Sequence, residues 1–163
     1  MTFTLSSPDF EQGETLPAWA RAGDAGGEDR SPALAWAGAP EGTRSFVLTV
    51  FDPDAPRATG WWHWVVCDVP ASVDALPANA GDPDAGLLPA GAVTHPNEEG
   101  NARYNGAGPP RGHGPHRYVF TLSALDVERL DVPAQATGAT VERAMKGHVV
   151  SSAQLIGTSS TPD

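Results

Sequence analysis

Residues 46–70 read FVLTVFDPDAPRATGWWHWVVCDVP, and this stretch decides the fold. It contains two short apolar runs, 46–51 and 63–69, that are rich in β-branched and aromatic residues, as is typical of strands buried on both faces. An Asp-Pro pair follows the first run and a proline follows the second, and both are turn formers. If the two strands pair as an antiparallel hairpin, Asp52 and His63 lie at the same end of the sheet.

A third strand is predicted at 117–125, which reads RYVFTLSAL. Side chains alternate along a strand, so Tyr118, Phe120, Leu122 and Ala124 are expected to share one face. Shorter strands are predicted near residues 3–5, 33–36 and 153–156.

Helix signals are sparse. Thr140 is predicted to cap a helix over 141–147, and a shorter helix is predicted within 71–80. Strands outnumber helices and do not alternate with them, which disfavours a doubly wound α/β fold. The sequence therefore predicts a mostly β fold of two antiparallel sheets with one or two short peripheral helices, in a single domain over 1–163.

The composition excludes several classes of protein. The chain has 163 residues, a formal net charge of −10 and a single cysteine, Cys67, so an internal disulfide cannot form. An acidic body repels phosphate backbones, so no nucleic-acid partner is expected. No apolar run approaches the roughly 18 residues of a membrane-spanning helix. The N-terminus lacks a basic and apolar leader, and we expect a cytoplasmic protein with no membrane span.

Side chains suited to ligand binding fall at predicted strand ends. His116 and Tyr118 are two residues apart at the start of the third strand, so they face the same side. One pocket at this end of the sheet would gather them with Asp52 and His63. Imidazoles and loop N–H groups can hold a phosphate, while Asp52 would orient a histidine or meet a cationic part of the ligand. The loop N–H groups are those of Gly106, Gly108, Gly112 and Gly114.

Structural interpretations of these residues stay open. A histidine at a strand start is more often a hydrogen-bonded structural residue than a ligand-binding one. Two of the three residues Trp61, Trp62 and Trp64 are expected in packing, with the remaining ring available to a pocket wall. The glycine-rich loop has neither the GxxxxGK[ST] nor the GxGxxG pattern in the required context, so it is not a nucleotide-binding loop.

Two kinds of enzyme chemistry are the alternatives to simple binding. His113 and His116, together with His63 and Asp52, are the residue types that bind zinc, which leaves a metal site as an alternative. Nucleophilic hydrolysis is disfavoured, because the chain has no GxSxG elbow and Cys67 falls within an apolar strand.

Three blocks of this sequence, taken together and in this order, resemble the phosphatidylethanolamine-binding protein family. They are SPALAWAGAPEGTRSFVLTVFDPDAP at 31–56, WHWVV at 62–66 and GAGPPRGHGPHRYVFTL at 106–122. The likeness is greatest to the bacterial branch, often called Raf kinase inhibitor-like proteins, and it extends over 31–157.

The resemblance implies two antiparallel sheets with an anion pocket near one end of the main sheet. Family members hold phosphate-bearing head groups such as phosphorylethanolamine, and some bind and inhibit kinases or proteases. The resemblance also implies no metal, no cofactor, and a homodimer as found among bacterial relatives. Carried over position by position, the ligand-binding residues are Asp52, Ala55, Pro56, Trp61, His63, Gly108, Pro109, Pro110, His116 and Tyr118.

Two segments depart from the family pattern. The loop 96–115 carries Glu98, Glu99 and Arg103, which would alter the rim of the pocket. The chain ends GTSSTPD after Ile156, where relatives often place an aromatic residue. A more open pocket or a weaker dimer contact would follow.

The sequence favours a small binding protein that performs no covalent chemistry. In this hypothesis His63 and His116 donate to the anion and Tyr118 adds a hydroxyl donor. The alternative is a protein inhibitor or regulator, such as one acting on a kinase or protease, whose loops 53–62 and 96–115 contact the partner. A third hypothesis is a metal-dependent enzyme that uses His63, His113 and His116.

Overall fold

Strands dominate the secondary structure in this computed structural model, which describes residues 2–162. The strands are β1 (Thr4–Ser6), β2 (Leu34–Ala37), β3 (Ser45–Asp52), β4 (Trp61–Pro70), β5 (Ala75–Leu76), β6 (Val93–His95), β7 (His116–Leu125) and β8 (Val149–Ser159). Helix α1 covers Gly138–Met145, and two 3-10 turns cover Ala18–Ala20 and Gly23–Ala25.

The strands form two sheets in which every neighbouring pair of strands is antiparallel. The smaller sheet has the order β1-β2-β5, and the larger has the order β6-β4-β3-β7-β8. The predicted fold class, two antiparallel sheets with a short peripheral helix, is confirmed. No helix within residues 2–162 is long and apolar enough to cross a membrane.

The register of the larger sheet brings the predicted site residues to one end. Asp52, the last residue of β3, is paired with Trp61 at the start of β4, and Phe51 is paired with Val119 near the start of β7. The end of β3 therefore meets the beginnings of both neighbouring strands. The hairpin geometry predicted for Asp52 and His63 is confirmed.

The central strands β3 and β4 of the larger sheet are buried on both faces. One face packs on the smaller sheet through a core that includes Trp36, Phe46 and Phe120. The other face packs under α1 and the segment before it, in a second cluster that includes Val47 and Val141. This explains the continuous apolar runs of β3 and β4, because a strand covered on both faces has no polar alternation.

The helix begins earlier than predicted. Thr137, and not Thr140, is the N-cap: its hydroxyl accepts a hydrogen bond from the Thr140 N–H at 3.2 Å. Gly138 and Ala139 form the first turn, and Gly147 follows the helix with a φ of +85°. The low helix propensity of glycine concealed the true start.

The helix predicted within 71–80 is wrong. This segment forms turns and the two-residue strand β5, whose Leu76 pairs with Leu34 of β2. The sequence also missed β6 and underestimated β8, which runs for 11 residues where only 153–156 was predicted. β8 is long because it pairs with the whole of β7. The backbone hydrogen bonds of this pairing extend the strand through Ser151 and Ser152, whose side chains give no strand signal in the sequence.

Candidate anion-binding site

A cavity of about 250 Å³ lies at the end of the larger sheet where β3 meets β4 and β7. All ten residues predicted to bind a ligand line it. Five further residues complete the lining: Ala22, Asp24, Glu99, Asn105 and Gly106. The structure therefore brings together residues from three strands and three connecting segments.

Asp52 and His116, which line the cavity, form a hydrogen-bonded chain with His113. The Oδ2 atom of Asp52 accepts a hydrogen bond from Nδ1 of His116 at 2.7 Å, and both side chains are buried. The other ring nitrogen of His116, Nε2, lies within hydrogen-bond distance of Nδ1 of His113. Asp52 thus orients His116, and in this geometry both ring nitrogens of His116 have protein partners. His116 can donate to an anion, as predicted, only if the His113 ring moves away from Nε2.

His63 stands apart from that chain. Its Nδ1 donates to the backbone carbonyl of Asn105 at 2.8 Å, and the Asn105 N–H donates to the His63 carbonyl at 2.9 Å. Burial lowers the pKa of His63, outweighing Asn105 and the carboxylate of Asp52, which raise it. The ring is therefore neutral at neutral pH, with Nδ1 carrying the proton and Nε2 left as an acceptor.

Aromatic rings shape the rest of the wall. Tyr118 packs edge-on against His63, with ring centroids 5.1 Å apart. Burial raises the pKa of Tyr118, so its hydroxyl stays protonated and able to donate. Of the three tryptophans, only Trp61 lines the cavity, while Trp64 lies in the core and Trp62 packs on the second cluster. The prediction that two of them serve packing is confirmed.

The rim is fixed by charged side chains of both predicted loops. The Arg57 guanidinium lies over the Trp61 ring, 5.2 Å from its centroid, and forms an ion pair with Glu98 at 3.0 Å. Asp54 accepts hydrogen bonds from the backbone and side chain of Arg117. These hydrogen bonds hold the pKa of Asp54 at about 2, so the loop after β3 is tied to β7 by an ionised carboxylate.

Ala22 and Asp24 reach the cavity through a backbone crossing. The segment around Arg21 pairs in parallel with Ala107, and the Ala22 N–H donates to the Ala107 carbonyl at 2.9 Å. Asp29 reinforces the crossing by accepting from the Gly106 N–H at 2.8 Å. A Cβ at Gly106 would lie 2.3 Å from the Arg21 backbone, so this close approach requires glycine.

The predicted set of loop N–H donors is largely engaged elsewhere. The Gly106 N–H donates to Asp29, and the Gly112 N–H donates to the Thr161 carbonyl at 3.2 Å. Gly112 and Gly114 do not line the cavity. Of the four glycines proposed from the sequence, Gly108 alone both lines the cavity and keeps its N–H clear of an acceptor in the described part of the chain.

The charges of the lining are unusual for an anion site. Three carboxylates line the cavity, those of Asp24, Asp52 and Glu99, and no lysine or arginine among residues 2–162 lines it. Within residues 2–162, no group of three or more His, Cys, Asp or Glu side chains is arranged to hold a metal ion.

Burial raises the pKa of Cys67 to about 12, so this thiol stays protonated.

A match to a protein family covers nearly the whole chain. The family model described as phosphatidylethanolamine-binding protein matches residues 6–160. The chain belongs to the phosphatidylethanolamine-binding protein family. The resemblance stated from the sequence is confirmed.

Bacterial members of the phosphatidylethanolamine-binding protein family are similar over almost the whole chain. The UPF0098 protein YbhB of Escherichia coli is 43% identical over 155 residues, which cover 93% of this chain and 96% of that protein. The UPF0098 protein YbcL of Escherichia coli is 42% identical over 156 residues, which cover 94% of this chain and 85% of that protein. The crystal structure of Escherichia coli YbcL superposes with a TM-score of 0.94 at 39% identity, covering 98% of this chain and 99% of that one.

The fold also occurs in a complex of two proteins. Carboxypeptidase Y inhibitor, in a crystal structure with its cognate proteinase, superposes with a TM-score of 0.54 at 23% identity, covering 98% of this chain and 82% of that one. At this identity the likeness concerns the fold alone.

Sequence reasoning missed Asp24 and placed Glu99 only at the rim of the pocket. Asp24 lies in a 3-10 turn far from the recognised blocks, and no local pattern marks it. The loop 96–115 was predicted to alter the rim of the pocket. Its adjacent acidic residues, Glu98 and Glu99, are the signal that could have placed a carboxylate in the lining.

Proposed function

We propose that this chain is a binding protein that holds a phosphate-bearing head group in the cavity between β3, β4 and β7 and performs no covalent chemistry. The observation that carries the proposal is the convergence of Asp52, His63, His116 and Tyr118 on one cavity. Tyr118 and the Gly108 N–H supply hydrogen-bond donors, and the His63 and His116 rings add imidazoles to the lining.

The charges of the lining favour a zwitterionic head group over a plain anion. A phosphate alone would meet Asp24, Asp52 and Glu99 without any lysine or arginine to offset them. Asp52 is already hydrogen-bonded to His116. The carboxylates of Asp24 and Glu99 remain free to attract an ammonium group of the ligand. The same carboxylates would repel a second negative group. Phosphorylethanolamine carries both groups.

Isothermal titration calorimetry with O-phosphorylethanolamine tests this function. We expect saturable binding by the parent chain and loss of binding in His63→Ala and Asp52→Ala, with circular dichroism confirming that each variant folds. The control is His148→Ala, which changes an exposed histidine paired with Asp126, away from the cavity. Equal affinity in the parent and in folded His63→Ala would refute the proposal.

A second candidate function is inhibition of a protein partner. One observation favours it: the Arg57–Glu98 ion pair joins loops 53–62 and 96–115 into one surface around the cavity mouth. Titration of carboxypeptidase Y and of a protein kinase with the chain tests it. Inhibition that is lost in Arg103→Glu but kept in Arg129→Glu would support it, and full enzyme activity at a large excess of the chain would contradict it.

The homodimer and the cytoplasmic location stay predictions. Sedimentation velocity at several concentrations measures the first, and fractionation of cells that express the tagged full-length protein measures the second.

A further inference from the structure

The cavity needs a positive charge that its own lining does not supply. Asp24, Asp52 and Glu99 line it, whereas no lysine or arginine among residues 2–162 does. Burial lowers the pKa of His63, so this ring adds no charge at neutral pH. A phosphate held in the cavity would therefore be stabilised most by a cation that reaches it from the rim.

Arg57 is the arginine that lies against the cavity wall. It directly follows Ala55 and Pro56, which line the cavity, and its guanidinium carbon lies 5.2 Å from the centroid of the Trp61 ring, which also lines it. The Arg57 N–H donates to the Ala55 carbonyl at 2.6 Å, and the Gly60 N–H donates to the Arg57 carbonyl at 3.1 Å. This turn holds the Arg57 backbone at the rim, within one side-chain length of the lining.

The other arginines near the cavity are engaged elsewhere. The Arg21 guanidinium donates to three oxygens of the segment 159–161, at 2.6, 2.8 and 2.9 Å. Arg117 donates to both carboxylate oxygens of Asp54. Arg111 lines an adjoining groove and not the cavity. Arg57 is thus the arginine best placed to serve a ligand in the cavity.

Glu98 holds Arg57 in its present position. One oxygen of the Glu98 carboxylate pairs with Arg57 at 3.0 Å, and the other accepts a hydrogen bond from the Trp62 N–H at 3.2 Å. The Arg57 side chain is 47% exposed, and an ion pair so open to water contributes little free energy. A phosphate offers a guanidinium two parallel charge-assisted hydrogen bonds, which are stronger. Exchange of the carboxylate for a phosphate is therefore favourable.

Building on the proposed function, we propose that Arg57 is a phosphate-binding residue that exchanges its ion pair with Glu98 for the phosphate of a ligand held in the cavity. The Trp61 ring lies under the guanidinium and stabilises it by a cation–π interaction. A phosphomonoester and a phosphodiester both have the two unesterified oxygens that this contact needs. The contact is therefore open to a free head group and to the head group of an intact lipid.

Calorimetry on matched arginine variants tests the contact. The ligands are O-phosphorylethanolamine and glycerophosphorylethanolamine, and their affinities for the parent chain distinguish a free head group from a diester one. We expect Arg57→Gln to weaken the binding of each ligand that the parent binds by about tenfold. Arg111→Gln removes the same charge from the neighbouring groove and should weaken binding by less than about twofold. Circular dichroism confirms that each variant folds.

Glu98 variants give an effect of opposite sign. Glu98→Gln releases the guanidinium and keeps an oxygen for the Trp62 N–H, so we expect binding to tighten by about threefold. The tightening should disappear when Arg57→Gln is also present. If Glu98 acted only as a negative charge near the phosphate, its replacement would tighten binding in both backgrounds. If the ion pair served only to tie the loops together, both single variants would weaken binding.

Several results would overturn the role of Arg57 and leave the binding function intact. They are unchanged affinity in folded Arg57→Gln, equal losses in Arg57→Gln and Arg111→Gln, and weaker or unchanged binding in Glu98→Gln. Failure of the parent chain to bind either ligand at millimolar concentration would overturn the binding function as well.

Discussion

The charge state of His63 depends on its burial in the fold. Burial holds its pKa below the ordinary value of 6.5, so the folded chain keeps the ring neutral where the unfolded chain would bind a proton. This difference in pKa does not reduce the free energy of unfolding above about pH 6.5, where His63 is neutral in both states. As the pH falls from there toward the lower pKa of the folded chain, the unfolded chain binds the proton first and the free energy of unfolding decreases.

A pH series of urea unfolding measures this effect. Between about pH 6.5 and about pH 5, the free energy of unfolding of the parent should fall more steeply than that of His63→Gln, by up to about 1.4 kcal/mol per pH unit. Replacement of the exposed His148 by Gln should leave the steeper slope in place. Equal slopes for the parent and His63→Gln would mean that His63 is not held neutral.

Close backbone contact at Gly106 gives a second prediction at the scale of single residues. A Cβ there would meet the Arg21 backbone at 2.3 Å, whereas a Cβ at Gly108 would lie 3.5 Å from its nearest neighbours, which is ordinary contact. We expect Gly106→Ala to lower the free energy of unfolding by about 1–3 kcal/mol and Gly108→Ala to change it by under about 0.5 kcal/mol. Chemical denaturation compares them, and equal effects would contradict the crossing of the two loops.

At the scale of elements, the N-cap of α1 can be tested by a matched pair of threonines. Thr137→Ala removes the hydroxyl that accepts from the Thr140 N–H, so it should cost about 1 kcal/mol of stability. Thr140 lies inside the first turn, and Thr140→Ala should cost less. Thermal unfolding of both variants shows which threonine is the N-cap of α1. A larger loss of stability in Thr140→Ala would support the N-cap predicted from the sequence instead.

The elements that the sequence predicted well are those with strong apolar patterns. β3, β4 and β7 are buried on both faces or alternate cleanly, so hydrophobicity alone marks them. β6 has three residues and β5 has two, and their existence depends on the neighbours with which they pair. The helix predicted within 71–80 failed for the same reason, because pairing with β2 outweighed the local preference.

The site divides in the same way. Asp52, His63, His116 and Tyr118 sit at ends of strongly patterned strands, so their meeting could be predicted from strand pairing. Asp24 reaches the cavity only because the chain around Arg21 crosses the loop at Ala107, which depends on tertiary contacts. The sequence could not predict the hydrogen-bond partners within the site. Asp52 could have oriented either histidine, and the structure shows that it orients His116 and not His63.

At the scale of the whole molecule, the two apolar clusters share β3 and β4. Phe46 and Val66 lie in the cluster between the sheets, while Val47 and Val65 lie in the cluster under α1. Loss of either cluster exposes one face of the same strands, so we expect a single cooperative unfolding transition. Far-ultraviolet circular dichroism and tryptophan fluorescence should report coincident midpoints in urea. Two separated midpoints would contradict the prediction of one domain.

The measurement that tests the central claim most directly is an NMR titration of the histidine ring signals with O-phosphorylethanolamine. The account predicts saturable shifts of the His63 and His116 rings, which line the cavity, with the ring of His148 unchanged. No shift of His63 or His116 at millimolar ligand, or an equal shift of His148, would contradict the assignment of this cavity as a phosphate-binding site.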